Sequence, residues 1–439
     1  MGGQAAIAKF GLLASCLLAA AWPHSVAIAG DDFPQPFDTG ARYVRELFVD
    51  ASAQPGGDGS RTAPLRDIAA ALERATPGTR VRIAAGTYGA VGSIARLHGT
   101  ARAPIALVGD GEVVIDAAGK AAGMHLADPR YVVIEGLAIR NAVPHGLNID
   151  DGGSYDSPAS HIVLRDVSFS RIGDGGNNDC LKMSGVDHFY VERSRFAGCN
   201  QGEAIDMVGC HDGVIAGNAF ADMPGSAVQT KGGSSDVLIH GNRFTGIGQR
   251  AINAGGHTGR PYFRPLDASH EAARIRMIAN VIERSGSAAV VFAGCDACVF
   301  ANNTIVHPGD YVARIVEEHP ERGVGTGGYF VNNVVVFASS RLRGYVDVGP
   351  RSRPSTFTFG WNLWYAVDDE SFAGPEYGQG LPAERHAIIG KNPLLDATRR
   401  PQAGSPAFQA GAEVPRGPGW DFERHEYGRP PNRGAFAGP

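Results

Sequence analysis

Lys182, Asp206, Gln229 and Asn253 recur at intervals of 24, 23 and 24 residues, each third in a four-residue segment whose neighbouring positions are aliphatic or mostly apolar. Lys231 falls two residues beyond Gln229, and the acids Asp179 and Glu203 precede Lys182 and Asp206 by three residues each. Lysines beside amides and carboxylates can take a proton from a carbon that carries a sugar carboxylate. Breaking a glycosidic bond beside a uronate in this way requires that carboxylate to be neutralised by cations, amides or Ca²⁺, so that negative charge can build up on it. A base must remove the C5 proton and an acid must reach the leaving oxygen. Lys231 and Lys182 are the expected bases, their pKa lowered by neighbouring positive charge. His257 and Tyr262 are the expected acids. Asn148, Gln229, Asn253, Asp206 and Arg314 are expected to bind substrate, with Arg250, Arg260 and Arg264 alongside. Asp179, Glu203 and Asp206 could instead pair with the lysines, hold Ca²⁺ through oxygen ligands, or act as the two carboxyl groups of a glycosidase.

The elements that must position these residues are short strands. Gly146-Leu147-Asn148-Ile149, Cys180-Leu181-Lys182-Met183, Ala204-Ile205-Asp206-Met207, Ala227-Val228-Gln229-Thr230, Ala251-Ile252-Asn253-Ala254 and Ala289-Val290-Val291-Phe292 share one pattern, continued at Ala313-Arg314-Ile315 and Val346-Asp347-Val348. A second, out-of-phase column carries an asparagine before apolar residues: Gly217-Asn218, Gly241-Asn242, Ala279-Asn280, Asn302-Asn303, Asn332-Asn333 and Trp361-Asn362. Asn suits tight turns, and stacked turns can build a ladder of side-chain amides. Strands this short bury an apolar face only if each pairs with its copy one coil later. The expected fold is therefore all-β, a right-handed parallel β-helix (solenoid). Blades of a propeller would need repeats of about 40–45 residues.

Alternation along each strand sends Leu181, Met183, Ile205, Met207, Val228 and Thr230 inward. The variable position between them faces solvent, with Asp150, Ser184, Val208 and Lys231 outward two residues on. Gly146, Cys180, Ala204, Ala227, Ala251 and Ala289 read as a lane of small outward residues, so the face reads as a trough. Polar strand exteriors are common without any ligand. The spacing, however, jumps to 38 residues between Ile252 and Val290, which inserts residues 255–265 beside this face. Long loops on repeat scaffolds tend to sit on the binding side. His257, Arg260, Tyr262 and Arg264, with Lys182, Lys231 and Arg314, read as a cationic strip suited to a carboxylated or sulfated polymer.

Residues 1–29 carry Lys9, an apolar run from Phe10 to Ala21 and a closing Ala27-Ile28-Ala29, the pattern of a signal peptide cleaved after Ala29. Cys16 offers a lipoprotein site instead, but an apolar stretch follows it where a lipoprotein turns polar. A secreted or periplasmic protein without a membrane span is expected. Net charge is −5, or −6 once Lys9 is removed, which argues against nucleic acid as a partner. Five cysteines then remain, an odd number, so at least one thiol is unpaired or has an outside partner. Cys295 and Cys298 read as a local disulfide or two buried thiols, since zinc needs four ligands. Residues 30–88 read as an N-terminal cap and first strands, with a helix near Pro64–Leu72 and Asp67 at its N-cap. The β-helix follows over 89–365, and a Pro/Gly-rich tail packed on the solenoid over 366–439. A monomer is expected.

Asp58-Gly59-Ser60 with Pro64-Leu65, Ala75-Thr76-Pro77-Gly78-Thr79, Gly86-Thr87-Tyr88, Asn392-Pro393-Leu394-Leu395, Gly404-Ser405-Pro406-Ala407 and Asn432-Arg433-Gly434-Ala435-Phe436 span nearly the whole mature chain. In these the chain resembles secreted right-handed parallel β-helix proteins of the pectate-lyase-like superfamily. The superfamily includes lyases, hydrolases, uronate epimerases and non-catalytic binding proteins, so the resemblance implies the fold rather than one chemistry. Gln229-Thr230-Lys231 with Asn242-Arg243-Phe244 resembles the lysine coil of chondroitinase-B-like and alginate lyases, although Ala254 stands where those enzymes carry arginine. Asn178-Asp179-Cys180-Leu181-Lys182 resembles the paired-aspartate segment of polygalacturonase-type hydrolases, with Asn178 replacing one aspartate and no Gly-His-Gly. The reading that follows is a polysaccharide lyase acting on an acidic polymer, with a glycoside hydrolase, a C5-epimerase or a glycan-binding protein as alternatives.

Overall fold

Every repeat carries one strand of a ten-stranded parallel sheet in which each strand pairs only with its copies in the coils before and after. The computed structural model describes residues 33–439 apart from 155, 201, 319–324, 379, 415, 416 and 418. The signal-peptide and Cys16 readings therefore lie outside the described residues. In chain order the strands are β1 (Ser93–Ala95), β2 (Met124–Ala127), β3 (Leu147–Asp150), β4 (Leu181–Ser184), β5 (Ile205–Val208), β6 (Val228–Lys231), β7 (Arg250–Gly255), β8 (Ala288–Ala293), β9 (Tyr311–Val316) and β10 (Val346–Val348). The register is continuous: Asn148, Lys182, Asp206, Gln229, Asn253, Val291, Arg314 and Asp347 stack one above another.

The remaining walls are two further parallel ladders. Ala159–Arg165, Val186–Glu192, His211–Ala216 and Ser234–His240 build one, and Ser168–Ile172, Arg195–Cys199, Ala219–Met223 and Arg243–Ile247 the other. The asparagine column sits at the corner between them. Asn218, Asn242, Asn280, Asn303, Asn333 and Asn362 are buried, and each Oδ1 from Asn242 onward accepts the backbone N–H and the side-chain amide of its predecessor. The left-handed backbone at this corner is borne by the preceding residue, Gly217, Gly241, Ala279, Asn302, Asn332 or Trp361. The ladder asparagine itself thus serves the hydrogen bonds and its neighbour the turn, a refinement of the Asn-turn expectation.

Inward residues fill the interior as stacked columns. Phe169, Phe196, Phe220 and Phe244 lie with ring centroids 5.0, 4.9 and 4.7 Å apart and nearly parallel planes. Leu147, Leu181, Ile205, Val228, Ile252, Val290 and Ala313 form another column with no exposed surface. A short helix α1 (Ile68–Glu73) covers the first coils with Ile68, Ala71 and Leu72 buried; Asp67 takes the N-cap position without a side-chain capping bond. At the other end Asn432 and Arg433 are buried against the coils, Arg433 donating to the carbonyls of Asn362, His386 and Ala410.

Cys180 is bonded to Cys199 and Cys295 to Cys298, leaving Cys210 as a buried free thiol. One reading is corrected here. Cys180, Ala204, Ala227, Ala251 and Ala289 do not line the trough but belong to the core. The chain bends as it enters each strand, so alternation fails at that position and the residue before it turns outward instead.

Candidate active site in the trough

That bend creates an outward lane of His145, Asp179, Glu203, Ser226, Arg250, Ala288 and Tyr311, each two residues before the first inward aliphatic. On β4 to β6 this lane meets the central lane. Asp179, Glu203 and Asp206 converge there, with one oxygen from each within 4.8 Å of the others. Asp179 and Asp206 have no exposed surface. Two lysines reach the same point: Lys182 donates to Asp206 Oδ2, and Lys231 Nζ lies 3.1 Å from Asp206 Oδ1. Lys182 Nζ is also 3.6 Å from Asp179 Oδ2. The Gln229 amide bridges acid and lysine, its nitrogen donating to Glu203 Oε1 at 2.9 Å and its oxygen accepting from Lys231 Nζ at 3.3 Å. The Glu203 backbone N–H donates to Asp179 Oδ1 at 2.9 Å.

Two buried acids and a half-buried third, this close together, cannot all ionise freely. Burial, then the charges of Asp206 and Asp179, push the Glu203 carboxyl up to about 8 despite the pull of Lys231. Asp179 is raised for the same reasons, burial first and Asp206 next. Burial works against the Lys182 ammonium, yet Asp206, Asp179 and Glu203 outweigh it and hold its pKa above the ordinary lysine value. For Lys182 this is opposite in sign to the expected depression by positive neighbours, because the groups around it are carboxylates, which favour its cation.

His145 is a member of the site that sequence reading missed. Its Nδ1 accepts the Asp179 backbone N–H at 3.1 Å, and burial lowers its pKa against the attraction of Asp179. The signal was its place two residues before Leu147, the same as that of Asp179 before Leu181.

The other expected ligands fall in different places. Asn148 faces outward on β3 and donates to Asp150, which also pairs with His125 at 2.7 Å. Asn253 sits one coil past Gln229 but is only 1 % exposed, its Oδ1 without a hydrogen-bond partner. Arg250 pairs with Glu318 at 2.8 Å, Arg264 with Asp187 at 2.6 Å and Arg314 with Asp347 at 2.7 Å. Lys182, Lys231, Arg264 and Arg314 of the expected cationic strip are thus each paired with a carboxylate of another coil. Arg260 and His257 are exposed, and Tyr262 is 68 % exposed at the tip of the 255–265 loop.

The loop is held by a residue not anticipated from sequence. Glu271, buried, accepts from Gly232 N–H (2.9 Å) and from the N–H and hydroxyl of Thr258 (both 2.8 Å). Arg264 carries the loop back along the trough, donating to the Gly209 carbonyl at 2.9 Å. Gly256 lies so close that a Cβ on it would meet the Gln229 side-chain amide at 2.6 Å and Lys231 side-chain carbons at 3.5 Å. The loop therefore walls the trough beside Lys231. A separate cavity of about 890 Å³, lined by Tyr311, Arg343, Tyr345, Asp347 and Tyr377, lies around β9 and β10. Its lining carries Asp347 and Glu376, whereas among the described residues the cluster of three acids is that of Asp179, Glu203 and Asp206.

Comparison with known proteins agrees with this architecture. A family model described as "Right handed beta helix region" matches residues 117–265 and 157–317. Pectate lyase Pel9A superposes with a TM-score of 0.53 at 18 % identity, over 91 % of this chain and 98 % of that one. A GH136 lacto-N-biosidase from Eubacterium ramulus gives 0.54 at 13 % identity, over 79 % and 68 %. A rhamnogalacturonan lyase gives 0.51 at 12 % identity, over 77 % and 95 %. No curated protein matches the sequence. The chain is a right-handed parallel β-helix with a pectate-lyase-like fold. Among the described residues no helix is long and apolar enough to cross a membrane.

Proposed function

We propose that this is an exported polysaccharide lyase that binds a uronate-containing polymer along the trough and cleaves it by β-elimination, with Lys231 as the base. The observation that carries the reading is the convergence of Lys231 on Asp206 where Asp179 and Glu203 also meet. Polysaccharide lyases and glycoside hydrolases both occur among the proteins of similar fold, which makes a glycan the favoured ligand class.

The three carboxylates alone would repel a uronate. An all-oxygen donor set suits Ca²⁺, and Asp179 Oδ2 is buried without accepting a hydrogen bond while Asp206 Oδ1 is held only by its ion pair with Lys231, so the residues fit such an ion. Bound by Asp179, Glu203 and Asp206, Ca²⁺ would neutralise the substrate carboxylate and make the C5 proton more acidic. Lys231 takes that proton as a neutral amine, once its pairing with Asp206 is relaxed. Gln229 holds the Lys231 nitrogen in place, and Lys182 remains protonated beside the developing negative charge. His257, next to Gly256 on the loop that walls the trough beside Lys231, is the residue we assign to the leaving oxygen.

The test is incubation of the purified chain with polygalacturonate, alginate and chondroitin sulfate in the presence of Ca²⁺. Unsaturated products absorbing in the ultraviolet are expected from one of them; their absence from all three overturns the lyase reading. A second reading, hydrolysis, is favoured by the Glu203 carboxyl standing protonated near neutral pH within reach of Asp206. It predicts saturated reducing ends, an essential Glu203 and a dispensable Lys231.

A further inference from the structure

The outward face of the trough sheet changes character beyond Lys231. From β1 to β4 its central lane is polar and at least partly exposed, running through Ser93, His125, Asn148 and Lys182, while Asp206 and Gln229 on β5 and β6 are buried beside Lys182 and Lys231. On β8 all three outward positions, Ala288, Val291 and Ala293, are apolar and have no exposed surface. An outward side chain on an edge-free solenoid face is fully buried only if other parts of the chain lie over it. Tyr311 and Val316 pack against these three residues from the next coil. The Arg250–Glu318 ion pair spans the same stretch of the face. Arg250 stands at the rim where β7 begins, and Glu318 lies two residues beyond the end of β9, at the opposite rim. Their 2.8 Å contact therefore runs diagonally over β8.

We infer that the trough is closed at this end, and that the enzyme removes short units from one end of a polymer rather than cutting within it. This rests on the proposed polysaccharide cleavage, by either bond chemistry. Coils are ~4.8 Å apart, close to the advance of a polysaccharide per sugar ring. Past Lys231 on β6 only the β7 coil intervenes before Val291, which lies beneath its neighbours on the next coil. That leaves room for about one or two sugar units on the closed side at this spacing. In the other direction β4, β3, β2 and β1 continue the open lane, so a long chain can extend only towards the N-terminal coils. The wall is built of side chains tied by an ion pair, which makes it a determinant of where the chain end stops.

The experiment uses the full chain with polygalacturonate, alginate and chondroitin sulfate, following bond cleavage, viscosity and product size together. End-wise action predicts a viscosity that falls only slowly with bonds broken, and short products of narrow size from the earliest time points. An early collapse of viscosity with a broad ladder of oligosaccharides overturns the inference while leaving the proposed function intact. No cleavage of any polymer by either chemistry overturns both. Glu318→Ala, which unties the wall far from Lys231, should broaden the product sizes; unchanged sizes in a folded variant would remove the ion pair from the explanation. As a check independent of turnover, the Lys231→Ala chain should bind oligouronates carrying a bulky fluorophore at one end and reject those labelled at the other. Equal binding of both would overturn the closed end.

Discussion

Lys231 Nζ stands 3.1 Å from Asp206 Oδ1 across one coil, while Lys182 holds the other oxygen of the same carboxylate. Asp206 is thus shared by two lysines on opposite sides, and anything that engages Asp206 changes the pairing of both. Such a shared carboxylate couples the charge of the site to its occupancy.

Lys231→Ala should lower cleavage by about 10²–10⁴-fold, the usual contribution of a positioned base. Lys231→Arg should not restore it, because a guanidinium does not give up its proton. Product formation measured in the ultraviolet, beside oligosaccharide binding to each variant, checks whether only the chemical step is lost.

Ca²⁺ should raise the melting temperature of the purified protein, and a chelator should reverse the rise. At a hundredfold excess over Kd the linkage amounts to about 2.7 kcal/mol. Asp206→Asn should remove the response, since it deletes a charge at the centre of the cluster. A thermal shift identical in that variant would place any Ca²⁺ site elsewhere.

Stability should fall in mild acid through His240. Its ring is buried between Phe33 and the Trp420 carbonyl, and burial holds its pKa at about 4 against an ordinary 6.5. Because the folded pKa is depressed, the contribution is complete above pH 6.5 and is lost as pH falls towards 4. The difference amounts to about 3 kcal/mol. Urea denaturation of wild type and His240→Gln at neutral pH and near the lower limit should show a smaller pH dependence in the variant. Other buried histidines titrate in both proteins and cancel in the comparison.

Phe220→Ala should destabilise the solenoid by about 3–5 kcal/mol. The ring is 1 % exposed and sandwiched between Phe196 and Phe244. A denaturant midpoint close to that of wild type would contradict the stacked-column account of the core.

The coil register was legible in sequence because inward aliphatics and the asparagine column repeat at nearly constant spacing, and the structure pairs Leu181, Ile205, Val228 and Ile252 as that spacing requires. Within strands, alternation assigned Lys182, Asp206, Gln229 and Lys231 to the correct face. It failed one residue before the first inward aliphatic of each coil, where the chain bends and alternation no longer applies. That is why Cys180 and its column were placed outside and His145 was overlooked. Pairings across long separations, Arg250 with Glu318 and Thr258 with Glu271, depend on how loops fold over the face, and no local pattern encodes them. The sign of the Lys182 shift depends on those packed neighbours too.

The amide ladder also bears on how such a chain can change over generations. Every rung from Asn218 to Asn362 presents the same acceptor to one neighbour and the same donors to the other; only the ends differ, with Ser194 donating its backbone N–H at the first rung and Glu384 accepting from Asn362 at the last. A whole coil inserted or deleted between two rungs therefore leaves every remaining joint chemically unchanged, whereas a partial one breaks a joint and strands buried amides. Gene duplication in units of one coil is thus a low-cost path for this architecture. A coil inserted beyond Asn242 would lengthen the solenoid past the reaction centre, leaving Asp179, Glu203, Asp206, Lys231 and both ends of the ladder intact.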